Sequence, residues 1–125
     1  MYELKVVTHF AAAHRLTMVG EKCENLHGHN WKIEVFVRGE NLDDAGVLMD
    51  FGIIKTHVRD IMSLLDHKFL NELAYFQNSQ PSSENIATFI ARELEKRIED
   101  PAVSISRVNA WESENACAAY IPSNY

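Results

Sequence analysis

Cysteine is scarce in this chain: two in 125 residues cannot build a disulfide framework, so reduced thiols are expected. Long apolar runs are missing as well. No stretch approaches the roughly 20 apolar residues that a membrane span needs, and Met1-Tyr2-Glu3-Leu4-Lys5 does not begin a signal peptide. A cytoplasmic location is the resulting expectation. Positive charge is also in short supply, with 12 Lys and Arg against 18 Asp and Glu and a formal net charge of -6. That balance argues against a nucleic-acid binder but leaves room for a local basic pocket for an anionic small molecule. Arg15, Lys22 and Lys68 lie near the motifs described below, although singly each reads as an ordinary surface charge. Linkers, repeats and low-complexity tracts are absent. Residues 1–125 therefore read as a single domain, 46% hydrophobic and 24% charged, able to bury one modest core.

The elements are legible from periodicity. Tyr2 to Phe10 reads as a strand and His29 to Arg38 as a second, ending at Gly39. Asp50 is placed to cap a helix in which Phe51, Ile54, Val58, Ile61, Met62 and Leu65 recur at helical spacing as core. A loop through Asp66-His67-Lys68-Phe69-Leu70-Asn71 reaches Pro81, and Ser82 or Ser83 then caps a second helix carrying Ile86, Phe89, Ile90, Leu94 and Ile98. Asp100-Pro101 stops it. Val103 to Glu112 and Ala116 to Ile121 read as a closing hairpin around Ser113-Glu114-Asn115. The order ββααββ predicts an α+β fold, a four-stranded antiparallel sheet with two helices on one face. Such a sheet has a bare face and two edges to protect, and self-association is the economical solution.

Against this ordinary background, His14 and the run Cys23-Glu24-Asn25-Leu26-His27-Gly28-His29 stand out. His27 and His29, two apart at a strand end, can point to one side of the sheet, and Gly28 between them leaves room for a bend or a close ligand. An antiparallel return of the chain would bring His14 alongside the pair. Three imidazoles without a fourth ligand describe an open zinc site of the catalytic kind. If Cys23 is the fourth ligand, the site is instead closed and structural.

Three further residues have a chemical reading. Asp66 beside His67 is how a carboxylate orients an imidazole and stabilises its protonated form, while the plainer reading is a helix C-terminal His with a solvated cap. Glu112 continues the period-two pattern of Val108 and Ala110 and so faces inward from a strand end, unless it is an ordinary edge glutamate. An inward carboxylate needs a donor pair, such as a guanidine-like ring edge. Cys117 reads as packing, and His9 and His57 receive no role.

Six blocks occur together and in order: Phe10-Ala-Ala-Ala-His14, the Cys-x-x-x-His-Gly-His of Cys23 to His29, Met49-Asp50-Phe51, Leu65 to Asn71, Pro81-Ser-Ser-Glu-Asn85 and Glu112 to Tyr120. Their arrangement resembles the 6-pyruvoyl-tetrahydropterin synthase family, more narrowly its bacterial 6-carboxy-tetrahydropterin synthase branch. The resemblance implies a tunnelling fold in which three subunits close their sheets into a barrel and two trimers stack as a homohexamer, with active sites at subunit interfaces. It assigns His14, His27 and His29 as Zn2+ ligands, Cys23 and His67 as the proton-transfer pair, Asp66 as the residue orienting His67, and Glu112 as the pterin-anchoring carboxylate. Ser82 and Ser113 stand where members often carry Thr, and each keeps the hydroxyl.

The implied substrate is 7,8-dihydroneopterin triphosphate, and the implied products are 6-carboxy-5,6,7,8-tetrahydropterin, acetaldehyde and triphosphate, on the queuosine (7-deazaguanine) route. Two readings compete with it. One is 6-pyruvoyl-tetrahydropterin synthase activity, which stops at triphosphate elimination with the side chain intact. The other is a non-catalytic zinc-stabilised binding module in which Cys23 completes the site and Glu112 packs.

Overall fold

The computed structural model describes residues 1–17 and 26–123, with the side chain of His27 outside that description. Two long strands form its frame: β1 (Tyr2–His14) and β2 (His27–Gly39) pair antiparallel from Tyr2↔Gly39 through to His14↔His27. Alternation puts Val6, Phe10, Ala12 and His14 of β1 on the buried face, with Trp31, Ile33, Val35 and Val37 of β2 beside them. β1 runs past the expected end at Phe10. The alanines at 11–13 have weak strand propensity, but each is paired in register with β2, and that pairing overrides propensity.

Both helices form where expected. Helix α1 (Phe51–Leu65) starts at Asp50, whose side chain accepts the Gly52 N–H at 2.8 Å. Its core face is Ile54, Val58, Ile61, Met62 and Leu65, whereas Phe51, expected in the same stripe, is 46% exposed because it opens the first turn before the helix meets the sheet. Helix α2 (Ser83–Arg97) is capped by Ser82, which accepts the Asn85 N–H at 3.1 Å. It buries Ile86, Ala87, Phe89, Ile90, Ala91 and Leu94, and it ends at Arg97, ahead of Asp100-Pro101. The helices touch each other, α1 packing on β1 and α2 on the hairpin.

The sheet differs from the four-stranded antiparallel expectation. It has five strands in the order β3-β1-β2-β4-β5, where β4 is Val103–Ser113, β5 is Ala116–Tyr120 and β3 is the two-residue strand Lys68–Phe69, parallel to β1. The cause lies at the end of α1. His67 adopts a positive φ of 58°, which turns the chain so that its N–H donates to the Ala11 carbonyl at 2.6 Å. The Asp66 carboxylate accepts the Ala11 N–H at 2.8 Å. Both backbone groups of Ala11 are thereby used, and the chain is laid along the outer edge of β1. The loop that follows contains two short 3-10 turns, Leu70–Glu72 and Ala74–Phe76, which bury Leu70 and Phe76. Cys117 also departs from expectation: it is exposed on edge strand β5 rather than packed. Among the described residues no helix is long and apolar enough to cross a membrane.

Candidate metal centre and active site

His14 closes β1 and is 2% exposed. Its Nδ1 lies 2.8 Å from the carbonyl oxygen of Pro81, which can only accept, so Nδ1 carries the hydrogen and donates it. In a neutral ring Nε2 then bears the lone pair, and that nitrogen faces Glu112 Oε1 at 3.2 Å. The same oxygen stands 3.0 Å from His29 Nε2. A lone pair facing a carboxylate oxygen is repulsive unless a proton or a cation joins them. Neutral imidazoles with a dication among them satisfy all three groups at once, and an imidazole whose other nitrogen donates to a backbone carbonyl is the usual arrangement of a metal-bound histidine.

The donor atoms of His14, His29 and Glu112 all lie within 4.8 Å of one another. Imidazole nitrogens and a carboxylate oxygen are ligands that zinc accepts. This donor set fits the expected metal. His27 sits opposite His14 in the strand register, which puts its backbone at the same end of the sheet. Cys23, the expected base, falls outside the described residues, as does Lys22. Glu112 lies where the pairing of β4 with β5 shifts register, between Trp111 and Ser113. The inward phase read from Val108 and Ala110 thus brings Glu112 to the histidines themselves, a contact that strand periodicity alone does not reveal.

Asp66 and His67 form the expected pair. His67 Nδ1 and Asp66 Oδ2 are 2.8 Å apart, and the imidazole is 83% exposed. The Asp66 carboxyl is held below the usual carboxylate range, first by the hydrogen bond from the Ala11 N–H; desolvation opposes this, and the hydrogen bond and charge of His67 add to the lowering. A carboxylate that accepts from Nδ1–H leaves Nε2 as the exchangeable position of His67. His67 and His29 line one open cleft of about 500 Å³ together with Ala13, Gly28 and Asn30. Among the described residues, a Cβ built on Gly28 meets no atom within 4 Å.

Several residues of the site carried no readable signal in the sequence. The Pro81 carbonyl is one, since a backbone acceptor has no residue signature. Trp31 is another: its indole lies against Phe10, stacked at 5.1 Å, and meets the rings of both His14 and His29 edge-on at 5.0 and 5.1 Å. On the opposite face of the sheet, Glu34 is buried and accepts from Trp111 Nε1 at 2.6 Å, Asn109 Nδ2 at 3.1 Å and Lys5 Nζ at 3.3 Å. Burial pushes its carboxyl up, but these hydrogen bonds outweigh burial and leave it below the ordinary value. A cavity of about 570 Å³ borders this network beside His9, Lys32 and Trp111, on the face away from the histidine cluster. Its size does not make it the reactive site, because the convergent metal donors lie elsewhere.

Residues 3–123 match the family described as 6-pyruvoyl tetrahydropterin synthase. The chain is 36% identical over 92 residues to the 6-carboxy-5,6,7,8-tetrahydropterin synthase of Synechocystis sp., covering 70% of each protein. It is 36% identical over 103 residues to the dihydroneopterin monophosphate aldolase of Pyrococcus furiosus, covering 82% of each. To the 6-pyruvoyl tetrahydrobiopterin synthase of Homo sapiens it is 32% identical over 125 residues, covering 89% of this chain and 85% of the human one. The structure of the Caenorhabditis elegans 6-pyruvoyl tetrahydropterin synthase superposes with a TM-score of 0.87 at 24% identity, covering 98% of this chain and 96% of that one. The fold shared with that structure is the tunnelling fold. With the match running through both histidine-bearing strands, the two helices and the hairpin that brings Glu112, the chain belongs to the 6-pyruvoyl tetrahydropterin synthase family of pterin-processing enzymes.

Proposed function

We propose that this protein is a zinc-dependent carbon–carbon lyase that converts 7,8-dihydroneopterin triphosphate to 6-carboxy-5,6,7,8-tetrahydropterin, acetaldehyde and triphosphate, a step toward 7-deazaguanine (queuosine) compounds. The observation that carries this reading is the convergence of His14 Nε2, His29 Nε2 and Glu112 Oε1 at the end of the β1–β2 pair, with His14 oriented by Pro81. His14, His27 and His29 are the proposed zinc ligands. When bound, zinc supplies positive charge that polarises the side-chain hydroxyls of the substrate and acidifies the adjacent C–H bonds.

The chain's own groups do the rest. Cys23 takes a proton from the substrate side chain, favoured as a thiolate near a dication. His67, held through Nδ1 by Asp66, receives or returns protons at Nε2. Glu112 accepts the 2-amino and N3 hydrogens of the pterin, a donor pair that a carboxylate matches in bidentate fashion. Two hydrogens move from the side chain to the ring, so the ring is reduced as the side chain is oxidised and no nicotinamide is needed. Triphosphate leaves from the terminal carbon. Water then adds across the remaining carbon–carbon bond, giving the carboxyl group on the ring and free acetaldehyde.

The exposure of His67 and its place beside the short edge strand β3 support an active site shared between subunits, in a hexamer built as two stacked trimers. Edge pairing between copies would also use the open edges of the sheet.

Relatives of comparable identity carry two neighbouring activities in their names, and carbon balance separates all three. The lyase proposed here releases acetaldehyde in equal amount with triphosphate. A 6-pyruvoyl-tetrahydropterin synthase releases triphosphate and keeps all three side-chain carbons on the pterin. An aldolase acting on a dihydroneopterin phosphate cleaves the side chain with its phosphate still on the departing hydroxyaldehyde. Product analysis of the zinc-loaded protein with dihydroneopterin triphosphate therefore tests the proposal, and triphosphate without acetaldehyde would overturn it. A zinc-stabilised binding module predicts no turnover and a Cys23 protected from alkylation by its metal.

A further inference from the structure

Trp31 occupies an unusual position for a core residue. It is fully buried on β2, two residues beyond His29, and its indole meets His14 at 5.0 Å with an interplanar angle of 84° and His29 at 5.1 Å and 69°. The two imidazoles also meet each other edge-on, at 5.1 Å and 79°. Behind the indole, Phe10 stacks at 5.1 Å and 9°. Its Nε1–H points to Ser83 Oγ at 3.4 Å, a long hydrogen bond that ties the ring to the first residue of α2. Only two residues earlier, Pro81 accepts from His14 Nδ1.

We infer that Trp31 is a positioning residue of the metal centre: its indole fixes the rotation of both His14 and His29, so that their Nε2 atoms converge on one point. An imidazole is held by its ligand bond and by whatever limits rotation about its side-chain bonds. His14 has the Pro81 carbonyl for that purpose. The indole edge bears on His29 as well as on His14, and one ring in contact with both histidines sets their mutual angle. A ligand pair pre-set in this way loses less rotamer freedom on binding an ion, and groups that orient ligands commonly alter metal affinity by about 10- to 100-fold. The inference rests on the metal reading above, but the restraint itself exists in the metal-free chain.

The test compares Trp31→Leu and Trp31→Phe with Val35→Ala, a core truncation on the same strand and face that pairs with Val6, away from the histidine end of β1 and β2. Zinc affinity is measured by competition with a chelator, folding by urea denaturation, and the His14 Nδ1–H exchange rate by NMR on the metal-free protein. The expected order of zinc affinity is wild type, then Trp31→Phe, then Trp31→Leu, the last weaker by about 10- to 100-fold, with Val35→Ala destabilised but unchanged in affinity. Faster exchange of the His14 Nδ1–H is expected in both Trp31 variants and not in Val35→Ala. If zinc affinity falls in Val35→Ala as it does in Trp31→Leu, Trp31 is only packing and the inference is overturned. Should Trp31→Leu fail to fold, Trp31→Phe decides, and unaltered affinity with unaltered exchange overturns the inference. Wild-type protein that takes up no zinc refutes the metal reading, while the exchange rates still decide the role of Trp31.

Discussion

His14 and Pro81, 67 residues apart in sequence, are joined by a 2.8 Å hydrogen bond from the imidazole Nδ1 to the backbone carbonyl. The bond ties the end of β1 to the turn that starts α2, where Ser82 is the cap. One contact therefore sets the tautomer of His14 and seats the helix against the sheet. His14 has a structural duty in addition to its proposed role as a ligand. His29, whose side chain is more exposed than that of His14, separates the two duties.

That asymmetry gives the first prediction. His29→Ala should lose most bound zinc and most turnover while remaining a folded oligomer, since a catalytic zinc serves chemistry more than folding. His14→Ala should lose zinc and also about 2 kcal/mol of stability, because it leaves a cavity and an unpaired carbonyl at Pro81. Metal analysis and urea denaturation of the two variants check this. Full zinc occupancy in His29→Ala would remove it from the ligand set.

Much of this architecture was legible because the relevant signals are periodic. The spacing of Ile54, Val58, Ile61 and Leu65 and the caps Asp50 and Ser82 define the helices, and the alternation Val108, Ala110, Glu112 predicts the face on which Glu112 lies. Strand β3 was not legible, since two residues are too few to show alternation and its pairing depends on a positive φ at His67, which sequence does not encode for a non-glycine residue. The extension of β1 through Ala13 was hidden by weak propensity. Partners of the site that act through a backbone carbonyl, as at Pro81, or through a ring edge, as at Trp31, emerge only once distant segments are brought together.

A second prediction separates proton transfer from metal binding. Cys23→Ala should keep zinc and pterin but lose turnover by a factor of about 10² or more, the usual scale of a positioned acid–base group, and His67→Ala should behave alike. Parallel loss of zinc and activity in Cys23→Ala would favour the closed structural site instead.

Glu34 supplies a pH-dependent prediction. Its folded carboxyl lies below the ordinary value of 4.5. A depressed folded value means that the group contributes stability fully above its unfolded value and loses that contribution as the pH falls through the folded one. Glu34→Gln cannot titrate, so below pH 4.5 its stability should fall less steeply than that of the wild type. Near neutral pH the same variant should be less stable by about 1 to 3 kcal/mol, having lost a charged acceptor for Trp111, Asn109 and Lys5. Urea midpoints across the acid limb check both parts, and parallel curves for the two proteins would show that Glu34 is not the titrating group.

Glu112 carries the sharpest test, because its position permits two distinct roles. Its Oε1 lies within hydrogen-bonding distance of the Nε2 atoms of both His14 and His29, where a metal donor would sit, yet family resemblance assigns it to the pterin. Substitution by Gln keeps the shape and removes the charge, turning one acceptor into a donor that faces the pterin's own donors. If Glu112 anchors the pterin, Glu112→Gln should retain zinc and weaken pterin binding by about 2 to 4 kcal/mol, a lost charged hydrogen bond plus an unpaired group. If it is a metal donor, zinc affinity should fall first and pterin binding should follow only through the missing ion. Calorimetry with a pterin, run on zinc-loaded and zinc-depleted protein, tells these apart. Unchanged pterin affinity together with weakened zinc would reassign Glu112 from substrate to metal.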